Sequence, residues 1–433
     1  MRRTESGKFN RNENAGPIYW VAAIFAFAIA VFCMIRHNLS TFESLYLQSN
    51  DGDLYLNIAE NFLNKGHFLQ DLRPFEHFVV PPGLPFMCTL LTAIGGLKGL
   101  LIFQYAVYGC TAALMAMCCC EVCGRAKLPV QILAGIAAPA LYLYCCFKIR
   151  HPNPGFVLTE NYVLFLLCLL LFMLLRYRSG ASLIPILSVL FVLFLFRPAC
   201  SGLLVIGLIA AVLQALGVGG SGAKFGSNSV KNSGRKAKIR NLAITLAVFA
   251  LVIGINTAVN YRETGHIITI EDYSTMDIYL ANNEVAGPDS YHSGKLYDFG
   301  TEEFKAIYDD ASMCYYEKNE AASELLNEYL KHNMPRTVKF ACVRYNQLFC
   351  GTWGALWWAF LGCAILLFWR RCISKHGSGS SVKAAVLLLA FVLLTVVPSF
   401  GLLVARYSAP TIPLFVFCIV GAACSLANGR DRG

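Results

Sequence analysis

The sequence predicts an all-α polytopic membrane protein with about ten transmembrane helices, interfacial helices in the first outer loop, and a small outer region in the second half. Of its 433 residues, 56% are hydrophobic and only 14% are charged, and the mean hydropathy is +0.54. Soluble domains carry about 25% charged residues. The positive charge, +10 net, falls in short clusters between apolar runs, which is typical of membrane topology and argues against a nucleic-acid partner.

The membrane spans follow from apolar runs long enough to cross about 30 Å of hydrocarbon. These runs lie near 17–35, 99–120, 129–147, 157–175, 182–196, 199–216, 241–258, 352–369, 382–403 and 408–427. Lys and Arg are enriched in cytoplasmic loops. With this set of spans, six cationic clusters fall on the cytoplasmic side: 2–11, 125–127, 176–178, 224–240, 370–375 and 430–432. We therefore expect both termini in the cytoplasm. The pair at 182–216 is short, and one broken helix is the alternative.

The spans divide the chain into two modules. The first, 1–216, contains an outer loop at 36–98, in which the short, Pro-rich run at 79–97 ends in Gly95-Gly96 and is interpreted as a re-entrant or interfacial helix. Residues 217–240 are rich in Gly, Ser and Lys, which predicts a flexible, basic cytoplasmic linker. The second module, 241–433, has a large outer loop at 259–345 with more than half of the acidic residues. There, 301–333 has helical spacing, and the alternation at 265–282 is typical of a short hairpin.

The eighteen cysteines do not indicate a metal or redox centre. Most lie inside apolar runs, where Cys behaves as a small hydrophobic residue. Cys120 and Cys123 form one CxxC pair without a second CxxC or a His pair beside it, so no metal ligand set is expected there.

Paired carboxylates open the polar part of the first outer loop. Asp51 and Asp53 precede an amphipathic stretch that includes Tyr55. One interpretation is an N-cap that satisfies free backbone N–H groups at a helix start. The other is a general base, and the two are compatible, because a carboxylate at a helix start is held rigidly and kept ionised. No cofactor is evident; a divalent metal shared by the two carboxylates is possible, but no full ligand set is visible.

A second carboxylate, Glu160, stands at the outer end of a span that is otherwise free of charge for more than a dozen residues. A Glu at membrane depth normally marks a functional site or a buried partner. Capping of the helix is the alternative, since Pro154, Gly155 and Thr159 precede it.

Cations also fall on the outer side, against the charge bias of the loops. They are Lys148, Arg150, His151, Arg197 and Arg406, the last followed by Tyr407. Such side chains can extend along the helix to lipid headgroups. They can also bind a phosphate, which suits the guanidinium group.

Five motifs in order then resemble one family. They are Asn50-Asp51-Gly52-Asp53-Leu54-Tyr55 with Ala59, Phe62 and Gly66; Pro82-Gly83-Leu84-Pro85; Thr159-Glu160; Arg197-Pro198; and Arg406-Tyr407-Ser408-Ala409-Pro410 with Pro413. Asn260-Tyr261-Arg262 and Ala281-Asn282-Asn283 add to the likeness. Together they resemble the bacterial GT-C type membrane glycosyltransferases, in particular the branch of the protein O-mannosyltransferases and the lipid A aminoarabinose transferase.

The resemblance implies an integral protein of the bacterial plasma membrane. It would transfer a sugar, with inversion, from a polyprenyl-phosphate donor to a glycan, lipid or protein acceptor at the outer face. Asp51 matches the catalytic Asp of the family. Gly52 follows it where the family often has Glu, Ser or Ala, which leaves the role of Asp53 open. Tyr55, Glu160 and the outer cations are then expected to bind substrate.

Two other functions remain open. A polytopic transporter or lipid flippase would need charged or broken helices near the bilayer midplane and related halves; here the charges lie at span ends and no repeat is found. A catalytically silent relative that serves as an assembly subunit is the other alternative. The sequence leaves the sugar and the acceptor undetermined.

Overall fold

The computed structural model describes residues 15–67, 79–123, 128–149, 152–177, 181–216, 228–272, 274–287, 299–351, 353–373 and 405–429. Within these ranges every regular element is a helix, and the one β-type contact is an isolated parallel bridge between Leu47 and Phe156. The predicted all-α class is thereby confirmed.

The helices are α1 (Ala15–Thr41), α2 (Asn50–Lys65), α3 (Gly83–Val122), α4 (Leu128–Ile149), α5 (Glu160–Arg176), α6 (Ile184–Phe196), α7 (Ser201–Leu216), α8 (Asn228–Thr264), α9 (Ser274–Ala281), α10 (Glu302–Asp309), α11 (Tyr315–Tyr345), α12 (Ala355–Ile373) and α13 (Ile412–Gly429). A π-helical turn, Asn346–Gly351, follows α11, and a 3-10 turn, Ala405–Thr411, precedes α13.

Five helical stretches are long and apolar enough to cross a membrane: Tyr19–Thr41, Gly83–Glu121, Leu128–Ile149, Pro198–Leu216 and Lys236–Thr264. Shorter apolar helices lie at Ile184–Phe196, Ala355–Ala364 and Ser408–Val420. This composition is compatible with a membrane protein. The count of about ten spans stays a prediction, because the span expected at 382–403 lies outside the described residues.

Contacts between helix ends show how the first module is arranged. Tyr19 at the start of α1 donates a hydrogen bond to Glu121 at the end of α3, and Arg176 at the end of α5 lies 3.3 Å from the same carboxylate. We call this side the Arg176 end. Helix α3 packs on both α1 and α5, so α3 and α5 run opposite to α1 and begin at the other side. We call that side the Glu160 end.

A glycine breaks α3 near the expected place. Gly96 has φ 61° and ψ −165°, which is non-helical and essentially restricted to glycine. It separates a first segment, 83–95, from the long segment that follows. The break agrees with the predicted end of the 79–97 run at Gly95-Gly96, whereas a position at the membrane interface stays a prediction.

Helices α6 and α7 form an antiparallel hairpin and not one broken helix. The chain leaves the helical conformation at Arg197, which has φ −149° and ψ 96°. Ten residues on, Gly207 packs against Leu187 and Leu190; a Cβ placed on Gly207 would lie 2.5 Å from Leu190 Cδ1. Glycine thus permits the close approach that folds the two helices together.

Two predictions about the second module are wrong in part. The basic half of the expected flexible linker is helical, since α8 begins at Asn228; its Lys, Arg and Ala are good helix formers that continue into the apolar run. Residues 217–227 lie outside the described part. No hairpin forms in the described residues of 265–282, because the side-chain amides of Asn256 and Asn260 bond the carbonyls of Thr269 and Ile268, at 2.7 and 2.9 Å, in place of a partner strand.

Candidate functional site

The chain enters α2 through a serine cap, in the segment expected to form the first outer loop. Ser49 has an extended backbone, and its Oγ accepts a hydrogen bond from the backbone N–H of Gly52 at 3.0 Å. The interpretation of Asp51 or Asp53 as the N-cap is therefore wrong. Both carboxylates lie in the first turn of α2, where negative charge is favoured by the helix dipole.

The contacts of Asp53 are with the loop that precedes α2. Its Oδ1 accepts a hydrogen bond from the Tyr46 hydroxyl at 3.0 Å, and its Oδ2 accepts one from Gln48 Nε2, also at 3.0 Å. Burial, and then the bond to the carboxylate, raise the pKa of Tyr46 to about 12. Asp53 thus holds the 46–48 loop against the start of α2.

The start of α2 packs against the loop that leads into α5. A Cβ placed on Gly52 would lie 2.8 Å from Ser49 Oγ and 3.4 Å from the Val157 carbonyl oxygen. The backbone N–H of Leu47 donates to the carbonyl of Gly155 at 2.9 Å, beside the bridge to Phe156. The two loops that carry Asp51 and Glu160 therefore lie side by side at the Glu160 end.

A buried amide network anchors these loops to the bundle. Asn38 on α1 and Asn153 pair reciprocally through their carboxamides at 2.8 and 2.6 Å. Asn38 also donates to the Tyr105 hydroxyl of α3 at 2.6 Å, and this hydroxyl donates to the Leu45 carbonyl at 3.2 Å. The two asparagines are 0% and 4% exposed. Sequence reasoning missed this network; an asparagine at the end of an apolar span was its only local signal.

Glu160 and Arg197 face each other at the same end. Arg197 Nη1 lies 3.7 Å from Glu160 Oε1, and their side chains are 15% and 3% exposed. Glu160 begins α5, and the side chain of the N-cap residue, Thr159, makes no cap hydrogen bond. With its side chain this buried, Arg197 pairs with a carboxylate and does not extend to lipid headgroups. The sequence predicted both positions but not the pair.

The start of α3 completes this cluster. A Cβ placed on Gly83 would lie 2.8 Å from the Leu195 carbonyl oxygen and 2.8 Å from Phe196 Cδ2. Phe196 stacks in turn on Tyr162, with ring centroids 5.1 Å apart. The Pro-Gly motif of the first outer loop therefore touches the end of α6 directly beside Arg197.

The other residues predicted to bind substrate lie in several parts of the chain. Tyr55 packs partly buried against the main core, and Lys148 is exposed in the last turn of α4. Arg150 and His151 lie outside the described residues. The backbone of Arg406 and Tyr407 belongs to the 3-10 turn, which packs against α4, α5 and the π-helical turn; their side chains are outside the described part.

A cleft of about 220 Å³ opens beside the amide network. It is lined by Met34, His37, Thr41, Phe42, Cys146, Phe147 and Asn153. His37 packs on Phe147 with ring centroids 4.8 Å apart. The lining is mostly apolar with few polar groups, as small-molecule sites commonly are, although the cleft is small by that standard.

The second outer region reaches the first through Asp272. Its Oδ1 accepts a hydrogen bond from the backbone N–H of Val79 at 2.9 Å, and Val79, Ile268 and Tyr316 form one apolar cluster. Asp272 is 3% exposed, and burial raises the pKa of its carboxyl group from 3.8 to about 7. This contact was not predicted.

A buried arginine holds the far part of the same region. Arg344 is 1% exposed; Nη1 donates to Asn282 Oδ1 at 3.1 Å, and Nη2 donates to the Ala281 carbonyl. Burial lowers the pKa of this guanidinium to about 10. Ala281 and Asn282 belong to a motif singled out from the sequence, and here they bind an arginine of α11.

No family model matches the chain, and no curated protein or solved structure matches it either.

Proposed function

We propose that the protein is a membrane-embedded glycosyltransferase that moves a sugar from a polyprenyl-phosphate donor to an acceptor at the non-cytoplasmic face. One observation carries this proposal. The fold gathers at one end of the bundle the carboxylates of α2, the Glu160–Arg197 pair and the Pro-Gly start of α3, which are separate motifs in the sequence. This arrangement supports the proposal because a general base can act on the acceptor and a guanidinium at the same end of the bundle can act on the donor phosphate.

In this mechanism Asp51 accepts the proton of the acceptor hydroxyl or amine as that atom attacks the anomeric carbon. The bond between the anomeric carbon and the phosphate oxygen breaks, and the glycosidic bond forms with inversion. Arg197, together with Arg406, Lys148, Arg150 and His151, offsets the charge that develops on the polyprenyl phosphate. Glu160 keeps the Arg197 side chain in place before the donor binds.

Asp51 is proposed as the base because it matches the catalytic Asp of the family that the sequence resembles. Both oxygens of Asp53 accept hydrogen bonds from the preceding loop, so an incoming substrate or metal ion would have to displace Tyr46 or Gln48. Asp53 and Tyr55 are assigned to shaping the site. Because the donor is dissolved in the membrane, the chain needs no nucleotide-binding fold.

The assigned orientation puts the Arg176 end in the cytoplasm and the Glu160 end outside, with both termini cytoplasmic. The cationic cluster of Arg176 and Arg178 supports it. Reporter fusions after residues 60 and 300 should both report an outside location. A cytoplasmic signal at either would overturn the orientation and the enzyme proposal together.

Donor consumption by the purified protein in proteoliposomes tests the activity. A panel of labelled polyprenyl-phosphate sugars is supplied with envelope extract as acceptor, and release of polyprenyl phosphate is measured. Asp51→Asn should lower the rate by about 100-fold or more, the range of general base catalysis. Glu60→Gln, an exposed carboxylate on the same helix, should keep the wild-type rate.

An Asp51→Asn protein with full activity would remove the role given to that residue. If the wild type consumes no donor but moves labelled lipid across the vesicle membrane, the protein is a flippase. Deletion of the gene, followed by mass analysis of envelope glycans, would identify the sugar and the acceptor.

A further inference from the structure

A cluster of metal-ligating side chains lies in the second outer region, away from the candidate site. His266, Cys314 and Glu317 each offer one ligand atom, and these atoms lie within 4.8 Å of one another. His266 follows α8, whereas Cys314 and Glu317 stand at the start of α11. The set therefore joins two segments that are 48 residues apart in the sequence.

The spacing fits tetrahedral zinc coordination. Zn–S and Zn–N bonds of about 2.3 and 2.0 Å at a tetrahedral angle place the sulfur and nitrogen about 3.5 Å apart. His266 Nε2 and Cys314 Sγ are 3.3 Å apart. Since no two ligand atoms are more than 4.8 Å apart, the longest separation exceeds that edge by at most about 1.3 Å, and a rotation of the Glu317 side chain can close this gap. Imidazole, thiolate and carboxylate are the three donor types that zinc accepts, and solvent supplies the fourth.

The local structure fixes the positions of His266 and Glu317 and leaves lone pairs for a metal ion. Helix α8 ends at Thr264 and is followed by Gly265, which has a left-handed backbone (φ 75°). The next residue, His266, stacks on Tyr316 with ring centroids 4.5 Å apart. Glu317 caps α11: its Oε2 accepts a hydrogen bond from the Cys314 backbone N–H at 2.8 Å. A carboxylate has about four lone-pair sites, so Oε1 remains for a metal.

Two opposing effects act on the Cys314 thiol. It is the N-cap of α11, and the positive end of a helix dipole stabilises a thiolate there. Burial and the neighbouring Glu317 raise the pKa of the thiol overall. A coordinated zinc ion deprotonates the thiol outright, which makes binding release a proton.

We propose that His266, Cys314 and Glu317 bind one zinc-class divalent ion that joins the end of α8 to the start of α11. Tyr316, between two of the ligands in the sequence, also contacts the cluster of Val79 and Ile268. The ion therefore fixes the point at which the second outer region covers the start of α3. This site does not depend on the glycosyl transfer proposed above.

Metal content and cobalt spectra of the full-length protein in detergent test the site. After chelation and reloading, the wild type should retain about one zinc ion per chain, and Co²⁺ should give a thiolate-to-cobalt charge-transfer band. Cys314→Ser should lose that band and weaken zinc binding by more than the 10–100-fold that outer-shell changes cost. Cys342→Ser, an exposed cysteine on the same helix, should retain both properties.

Glu317→Gln separates metal binding from folding. Glutamine can still cap the helix but is a neutral ligand, so zinc should bind about 10-fold more weakly or worse, judging by the cost of weaker outer-shell changes, while the helical content is unchanged. Alkylation of the wild type, read by mass spectrometry, needs no variant: zinc should slow the labelling of Cys314 and leave that of Cys342 unchanged. Equal labelling of Cys314 with and without zinc, or equal zinc content in Cys314→Ser and Cys342→Ser, overturns the proposal.

Discussion

Asp272 should make the stability of this protein depend on pH near neutrality. Its carboxyl group is 3% exposed and uses one oxygen, Oδ1, to accept from the Val79 N–H at 2.9 Å. In the described part of the chain, Oδ2 is buried with no hydrogen-bond partner. A buried ionised carboxylate with one bond is costly, and this burial raises the pKa to about 7.

The magnitude follows from linkage. The unfolded chain has an aspartate pKa of about 3.9, so the folded state keeps a proton between about pH 4 and 7 that the unfolded chain has released. The stability is therefore fully present below about pH 4 and falls by about 1.4 kcal/mol per unit as the pH rises towards 7. The total loss is about 4 kcal/mol. Asp272→Asn removes the titration and should stabilise the protein at pH 8.

Thermal unfolding in detergent between pH 5 and 8, followed by tryptophan fluorescence, measures this effect. Scaled from smaller domains, 1 kcal/mol shifts Tm by about 1–2 °C in a chain of this length. Wild type and Asp272→Asn should differ most at pH 8 and converge towards pH 5. Glu324→Gln, an exposed carboxylate on α11, should follow the wild type. Parallel pH profiles of wild type and Asp272→Asn would refute the reasoning.

Three further predictions concern the Glu160 end. Gly83→Ala places a Cβ 2.8 Å from a backbone carbonyl oxygen and should lower the free energy of unfolding by about 1–3 kcal/mol. In the control, Gly254→Ala, the added Cβ meets nothing within 4 Å, so Tm should stay the same or rise. Equal changes in Tm for the two variants would contradict the contact at Gly83. Glu160→Gln and Arg197→Met should each lower the free energy of unfolding by about 3–5 kcal/mol. If the two losses add up in the double mutant, the two side chains are not coupled. Asn153→Ala removes the hydrogen-bond partner of the buried Asn38 carboxamide on α1, which should lower the free energy of unfolding by about 1–3 kcal/mol. Amide hydrogen exchange in the 152–159 loop should then become faster. Unchanged exchange would show that Asn153 does not anchor the loop.

The class of the fold could be predicted because the bilayer constrains it strongly. Backbone groups in hydrocarbon must bond within their own segment, so long apolar runs predict helices without knowledge of the tertiary structure. The break at Gly96 was visible for a similar local reason, since paired glycines interrupt a helix. The linker was mispredicted at its basic end, where helix propensity and the following apolar run extended α8 to Asn228.

The site was predictable only where a single position carried the signal. Asp51 and Glu160 stand out because carboxylates are rare beside apolar spans. The pairing of Glu160 with Arg197 has no local pattern, and the amide pair of Asn38 and Asn153 joins residues 115 positions apart. The serine cap was missed because both aspartates offered the same capping chemistry one turn away.

The two modules meet where the start of α3 is held from both sides. Ile268 and Tyr316 pack over Val79, whose backbone N–H donates a hydrogen bond to Asp272. Four residues later, Gly83 lies against the end of α6, next to Arg197. A change in the cover is therefore transmitted through a short, Pro-rich segment with little conformational freedom. We expect ionisation of Asp272 to weaken that cover, and the metal ion proposed at His266, Cys314 and Glu317 would strengthen it. The backbone of 79–83 therefore links the residue that Ile268 and Tyr316 cover to the end of α6 beside Arg197.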